Sequence, residues 1–107
     1  MIDYNGRRFH NPDAADGVIA RYHQRDDLVW GYFSGGAVRR GSVTGLCGPD
    51  AALRLVYTMV LADGTLVAGR THSTVEYTSD GRLRLREEWE RFGASATTGI
   101  SYLEEIR

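Results

Sequence analysis

The chain predicts an all-β protein, an antiparallel up-and-down β-barrel of about eight strands. Turn signals punctuate it at regular intervals: Asn5-Gly6, Asp13 to Gly17, Arg25-Asp26-Asp27, Gly35-Gly36, Gly48-Pro49-Asp50, Asp63-Gly64, Asp80-Gly81 and Gly93 to Ala96. The segments between them are short and rich in Val, Tyr, Thr, Leu and Trp. Strict alternation in "RLRLR", directly after Asp80-Gly81, has the two-residue period of a strand with one wet face. Short strands joined by tight turns make a meander, and a long meander removes its edges by closing on itself. Eight strands leave an interior that side chains fill or that holds one small ligand.

Segments 2–4 and 7–10 flank Asn5-Gly6 and form a short hairpin or one bent strand. Segment 17–24 contains "ARYHQ", in which either Tyr22 or His23 points inward. In segment 28–34, Leu28, Trp30 and Tyr32 share one face, with Gly31 and Phe33 on the other. A Gly35-Gly36 turn sets Trp30 opposite Gly41 in segment 37–47 and points Val43 inward. The approach from segment 52–61 through "GPDA" favours Thr44 and Leu46 instead, so a bulge is expected within 37–47. Segments 52–61, 65–78 and 82–92 follow, joined by Asp63-Gly64 and Asp80-Gly81. "LREEWERF" contains good helix formers, but it continues an alternating run and reads as strand. A ninth segment lies near 97–106.

Two-residue turns at Asp63-Gly64 and Asp80-Gly81 set Tyr57 across from Arg70, Leu55 across from His72, and His72 across from Trp89. Leu53, Leu55, Tyr57, Met59, Leu61, Leu66, Ala68, Arg70, His72, Leu83, Leu85, Glu87 and Trp89 then share a face. The opposite face of the last of these strands holds Arg82, Arg84, Arg86, Glu88 and Glu90, so the first face is the interior. The expected ligand site is Tyr57, Arg70, His72, Glu87 and Trp89, with Trp30 and Tyr32 added from segment 28–34. Arginine suits an anionic or carbonyl oxygen; histidine and glutamate suit hydrogen bonding or proton transfer. The plainer alternative is an Arg70–Glu87 pair across the barrel with His72 stacked on Trp89, because buried charges need partners. The other face of segments 52–61 and 65–78 carries Val56, Val60, Val67 and Val75 with few charges, which predicts a homo-oligomer interface.

The 107 residues make most simply one barrel domain over 1–107, with a formal net charge of −1. Nucleic acid and anionic lipid are not expected partners, since reading phosphates takes a basic excess. Cys47 is the only cysteine, which excludes an intramolecular disulfide and a thiolate zinc set. His10, His23 and His72 lack metal-ligand spacing, so no metal and no cofactor are expected. "RRGSVTG" resembles a phosphate loop, but no helix follows it. "MIDYNGRRFH" lacks the apolar run of a signal peptide, and no stretch is long enough to span a bilayer; a cytoplasmic protein is expected.

"RYHQ…LVWGYFSGG", "DGTLVAGRTHST", "DGRLRLREEWE" and "TTGISYLEEIR" together resemble a family of small bacterial proteins of this length that often carry the label N-acetylglutamate synthase. The resemblance covers nearly the whole chain and implies a calycin-type barrel, similar in outline to avidin and the lipocalins, which bind small ligands in the barrel mouth. The label itself does not fit the residues: an acetyltransferase of the GCN5 type needs an R/Q-x-x-G-x-G/A loop opening a helix. The first expectation is therefore a small-molecule-binding barrel. The alternatives are an isomerase or cyclase using His72 or Glu87 as acid or base, and an oligomerisation protein with a packed interior.

Overall fold

The computed structural model describes residues 2–14, 17–94 and 96–107. Ala15-Asp16, within the Asp13-to-Gly17 turn, and Ser95, within the Gly93-to-Ala96 turn, lie outside the described residues. Eight strands follow one another: β1 (Arg8–His10), β2 (Ile19–Arg25), β3 (Leu28–Gly35), β4 (Val38–Cys47), β5 (Leu53–Leu61), β6 (Leu66–Tyr77), β7 (Leu83–Arg91) and β8 (Thr97–Ile106). Each pairs antiparallel with the next, and β1 pairs with β8 to close the barrel. No helix occurs among the described residues. "LREEWER" is strand β7, as its alternation predicts. Segment 2–4 is not a strand; it leads into a turn at Asn5-Gly6 and then β1.

The hairpin loops decide which residues face the lumen. At the β5–β6 connection, Leu61 N donates to Thr65 O at 2.9 Å and Gly64 N to Leu61 O at 2.9 Å, with Gly64 at φ 87°. This is a three-residue loop, Ala62-Asp63-Gly64, whose last residue needs the left-handed conformation that glycine supplies. The β6–β7 connection repeats it: Thr78 N donates to Arg82 O at 2.9 Å, Gly81 N to Thr78 O at 3.0 Å, and Gly81 sits at φ 83°.

One added loop residue shifts the register by one, and a one-residue shift exchanges the faces of a strand. Tyr57 therefore pairs with Gly69 rather than Arg70, and Leu55 with Thr71 rather than His72. The second loop shifts the register once more, so β7 returns to the expected orientation. Val67, Gly69, Thr71, Ser73 and Val75 face inward, while Leu66, Ala68, Arg70 and His72, all expected inside, stand on the outer wall. Leu83, Leu85, Glu87 and Trp89 face the lumen as predicted.

In β3, Phe33 rather than Trp30 lies opposite Gly41; Trp30 pairs with Thr44. Irregularities between Phe33 and Gly35 and between Val38 and Arg40 absorb the difference, so the expected bulge sits at the tip of the hairpin. Val29, Gly31 and Phe33 line the interior, and Leu28, Trp30 and Tyr32 the exterior. Val43 points inward, whereas Thr44 and Leu46 point out. The choice left open in β2 falls to Tyr22, which is buried, with His23 outside against Trp30.

The two ends of the barrel differ. Near the 26–27, 48–52 and 78–82 connections the interior is dry: Val29, Leu53, Leu83 and Leu85 are buried with Phe9. Residues 2–7 fold across this end. Tyr4 is fully buried, packs on Phe9 and Tyr22 with ring centroids 6.4 and 6.3 Å away, and donates its hydroxyl to Ala51 O at 2.7 Å. Toward the 34–38, 61–66 and 91–97 connections the inward residues Phe33, Met59, Val67, Trp89 and Arg91 all keep partial solvent access. One end is plugged and the other is a mouth.

Candidate functional site

Four aromatic side chains in the lumen lie across from glycines on the neighbouring strand: Tyr22 from Gly31, Phe33 from Gly41, Tyr57 from Gly69, and Trp89 from Gly99. A Cβ at Gly69 would meet the Glu90 carbonyl and the Tyr57 ring, and one at Gly99 would meet the Trp89 indole. Each ring thus lies against bare backbone where a side chain would otherwise stand. Strand interiors do not favour glycine, so its presence here marks close approach.

Below the mouth, Glu87 sits between Ser73 on β6 and Ser101 on β8, its direct cross-strand neighbours. One step toward the mouth, Trp89 sits between Thr71 and Gly99. The Trp89 indole Nε1 donates to Ser101 Oγ at 3.0 Å. Arg91, the last residue of β7, places its guanidinium carbon 5.7 Å from the centre of the Trp89 ring. That distance is within the range of a cation–π contact.

Glu87 has no hydrogen bond or ion pair among the described residues. Burial alone pushes its carboxyl up to about 7, because the enclosed site disfavours the charged form. Burial likewise raises the Tyr22 phenol, helped by the nearby Glu87 charge. Tyr57 is raised by burial as well, with Arg91 beside its hydroxyl pulling the other way. Ser73 Oγ and Thr71 Oγ1 are buried without a partner among the described residues. A carboxyl and two hydroxyls left unmatched in one patch make a site with unused hydrogen-bonding capacity.

Of the residues expected at a ligand site, the structure brings together Tyr57, Glu87 and Trp89. Arg70 and His72 are on the outer wall, where Arg70 binds Glu90 at 2.7 Å; the pair expected between Arg70 and Glu87 is not formed. Trp30 and Tyr32 are also outside, gathered around His23, with Arg40 over the Tyr32 ring at 5.6 Å. Sequence reasoning missed Thr71, Ser73, Ser101 and Arg91. The signal for Arg91 was the alternation itself, since it continues the Leu83-Leu85-Glu87-Trp89 series.

The outer wall of β4 to β8 forms an open trough of about 940 Å³ lined by Val56, Arg70, His72, Glu88, Glu90 and Ile100 among others. Val56 is 58% exposed there. Val67 and Val75, expected in an outer interface, instead pack against the core, again because β6 is turned over. No group of three or more His, Cys, Asp or Glu gathers around a metal position among the described residues.

A closed antiparallel eight-stranded barrel, plugged at one end and lined with polar and aromatic groups at the other, is of the calycin type. The chain matches the family described as Avidin-like protein over residues 2–106, and it belongs to that family. No curated protein and no solved structure gives a significant match. The family and the barrel suggest small-molecule binding.

Proposed function

We propose that the protein binds a small molecule in the open half of its barrel, with Glu87, Trp89 and Tyr57 at the centre of the site. The observation that carries this reading is the unmatched patch of Glu87, Ser73 and Thr71 beneath an accessible mouth. A packed core hydrogen-bonds its buried polar groups, and leaving one unmade costs about 1–3 kcal/mol. A ligand that completes these bonds recovers that energy on binding. Trp89, fixed by its bond to Ser101, supplies a flat apolar wall beside them. A cytoplasmic location fits the single unpaired Cys47 and is part of the same proposal.

A second copy of the chain is the partner we assign to the outer trough. Its cations Arg54 and Arg70 lie on β5 and β6 and its anions Glu88 and Glu90 on β7, with exposed Val56 and Ile100 among them. Arg70–Glu90 and Arg86–Glu88 are ion pairs within one copy, so the exposed apolar Val56 and Ile100 are what a second copy would cover.

A native mass spectrum of the gently purified protein tests both readings. A retained small mass, lost in Trp89→Ala but kept in the outer-wall variant His72→Ala, is the expected result, on a dimer. A bare protein that stays bare across added metabolite mixtures overturns the ligand reading, and a monomer at micromolar concentration overturns the interface. One observation favours a catalytic version of the site: a carboxyl at about 7 is suited to general acid–base work at neutral pH. His72, the other expected base, stands outside the barrel.

A further inference from the structure

Among the described residues, Glu87 is a lumen carboxyl without an ion pair, and the lumen cation Arg91 lies nearer the mouth. Glu87 has no cation beside it. Arg91, on the same strand, is turned to Trp89 and Tyr57 instead. Glu105 is met by Arg7 at 2.9 Å. Trp89 has spent its single N–H on Ser101. Around Glu87 stand two hydroxyls without a partner among the described residues, Ser73 Oγ and Thr71 Oγ1 on the strand directly opposite, and the phenols of Tyr22 and Tyr57.

We propose that this patch receives the head of a primary amine, with Glu87 as its counter-ion and Ser73 and Thr71 as the further acceptors. The proposal rests on the ligand reading above and narrows it to a class. An ammonium group carries three N–H donors and no acceptor, which matches three unpartnered oxygens. A carboxylate or phosphate would bring its charge against Glu87, and the cation that would suit it, Arg91, lies nearer the mouth against the Trp89 ring. The Trp89 ring lies one step toward the mouth, where the first methylenes of an alkylamine would run. A charge enclosed in protein gains most from a partner that is itself desolvated there.

The groups that face Glu87 set the expected pH response. They are Tyr22 from β2, Tyr57 from β5, Ser73 from β6, Ser101 from β8, and Trp89 and Arg91 on its own strand. β3 and β4 add only the uncharged Gly31 and Val43 to the row that holds Tyr22 and Tyr57. Both tyrosines are raised above their ordinary range, so Glu87 is the group that titrates near neutrality. The amine must be protonated and Glu87 ionised for the pair to form. With the carboxyl at about 7, affinity rises about tenfold from pH 6 to pH 8.

The test uses n-butylamine hydrochloride, butyramide and sodium butyrate as probes. Each is titrated into the full chain while the Trp89 indole N–H resonance is followed, in a Trp30→Phe background. The expected result is saturable binding of butylammonium alone, stronger at pH 8 than at pH 6. Glu87→Gln should weaken it at least tenfold and Ser73→Ala about threefold. Equal binding of butyramide, preferred binding of butyrate, or an unchanged affinity in Glu87→Gln overturns the amine head while leaving a lumen site standing. Silence from all three probes overturns the amine head too, and the native mass spectrum then decides separately whether the lumen reading falls with it.

Discussion

Replacing Tyr4 with alanine is expected to cost about 3–5 kcal/mol of stability, the range for truncating a fully buried aromatic side chain. Tyr4 has no exposed surface, touches Phe9 and Tyr22, and is the stopper of the plugged end. Its removal also orphans the Ala51 carbonyl, which accepts the phenol at 2.7 Å. Ala51 sits in a left-handed conformation at φ 64°, seldom adopted by a residue with a Cβ. The loop that carries it thus loses the contact that helps hold it in place. Tyr4→Phe separates the two parts, keeping the ring and losing only the hydroxyl, at about 1 kcal/mol. Urea denaturation of the three proteins measures both numbers. A loss below about 1 kcal/mol in Tyr4→Ala would mean that residues 2–7 do not close the barrel in solution.

Glu87→Gln is expected to stabilise the free protein at every pH above the ordinary glutamate range, with the full effect reached above about 7. The folded carboxyl is raised to about 7, well above the range of an exposed glutamate. Between those two values the unfolded chain is ionised while the folded one holds its proton, so stability falls as pH rises through that window. Above about 7 the penalty levels off at roughly 2–3 kcal/mol, discounted for the partial access of the side chain. Glutamine removes the charge and keeps the shape. Wild type and variant should therefore be nearly equal at pH 4, and the variant should be ahead by that amount at pH 8. Chemical denaturation at the two pH values reads the difference directly. Equal curves at pH 8 would show that Glu87 already has a partner or free access to water. On the amine proposal, the charge that costs stability in the free protein is the one a cationic ligand would offset.

The barrel was legible because its evidence is local and repeated. Turn residues, β-branched and aromatic runs, and the alternation after Asp80-Gly81 all point to the same strands, and seven of the expected segments overlap β2 through β8. The site was half legible. Tyr57, Glu87 and Trp89 were placed in the lumen, and they are there. Arg70 and His72 were misplaced because "DG" is compatible with a two- or a three-residue hairpin, and the choice reverses every side chain of the following strand. The second loop made the same choice, so the two shifts cancelled for β7 and, of β5 to β7, left β6 reversed. Trp30 and Tyr32 were misplaced for a related reason. A large residue was matched to Gly41 correctly in kind, but the irregular Gly35-Gly36 hairpin made that residue Phe33. The outer aromatics look like core residues in composition, and composition does not tell one face of a strand from the other.

The seam of the barrel has a kinetic consequence. β1 contributes only three residue pairs to each neighbour, and its partner β8 lies at the far end of the sequence. Every other strand pairs with its successor and can zip from a short hairpin loop, whereas this joint must wait until the rest of the sheet has curled round. Closure should be the last step of folding and the first to reverse. Amide protons of Arg8 to His10 and their β8 partners should then exchange well ahead of those in β4 to β7, where the ladders are longest. The Tyr4 stopper is joined to the same short strand, so transient release of the seam would unlatch the plugged end with it. The end that the N-terminal segment closes would then be the first part of the barrel to open.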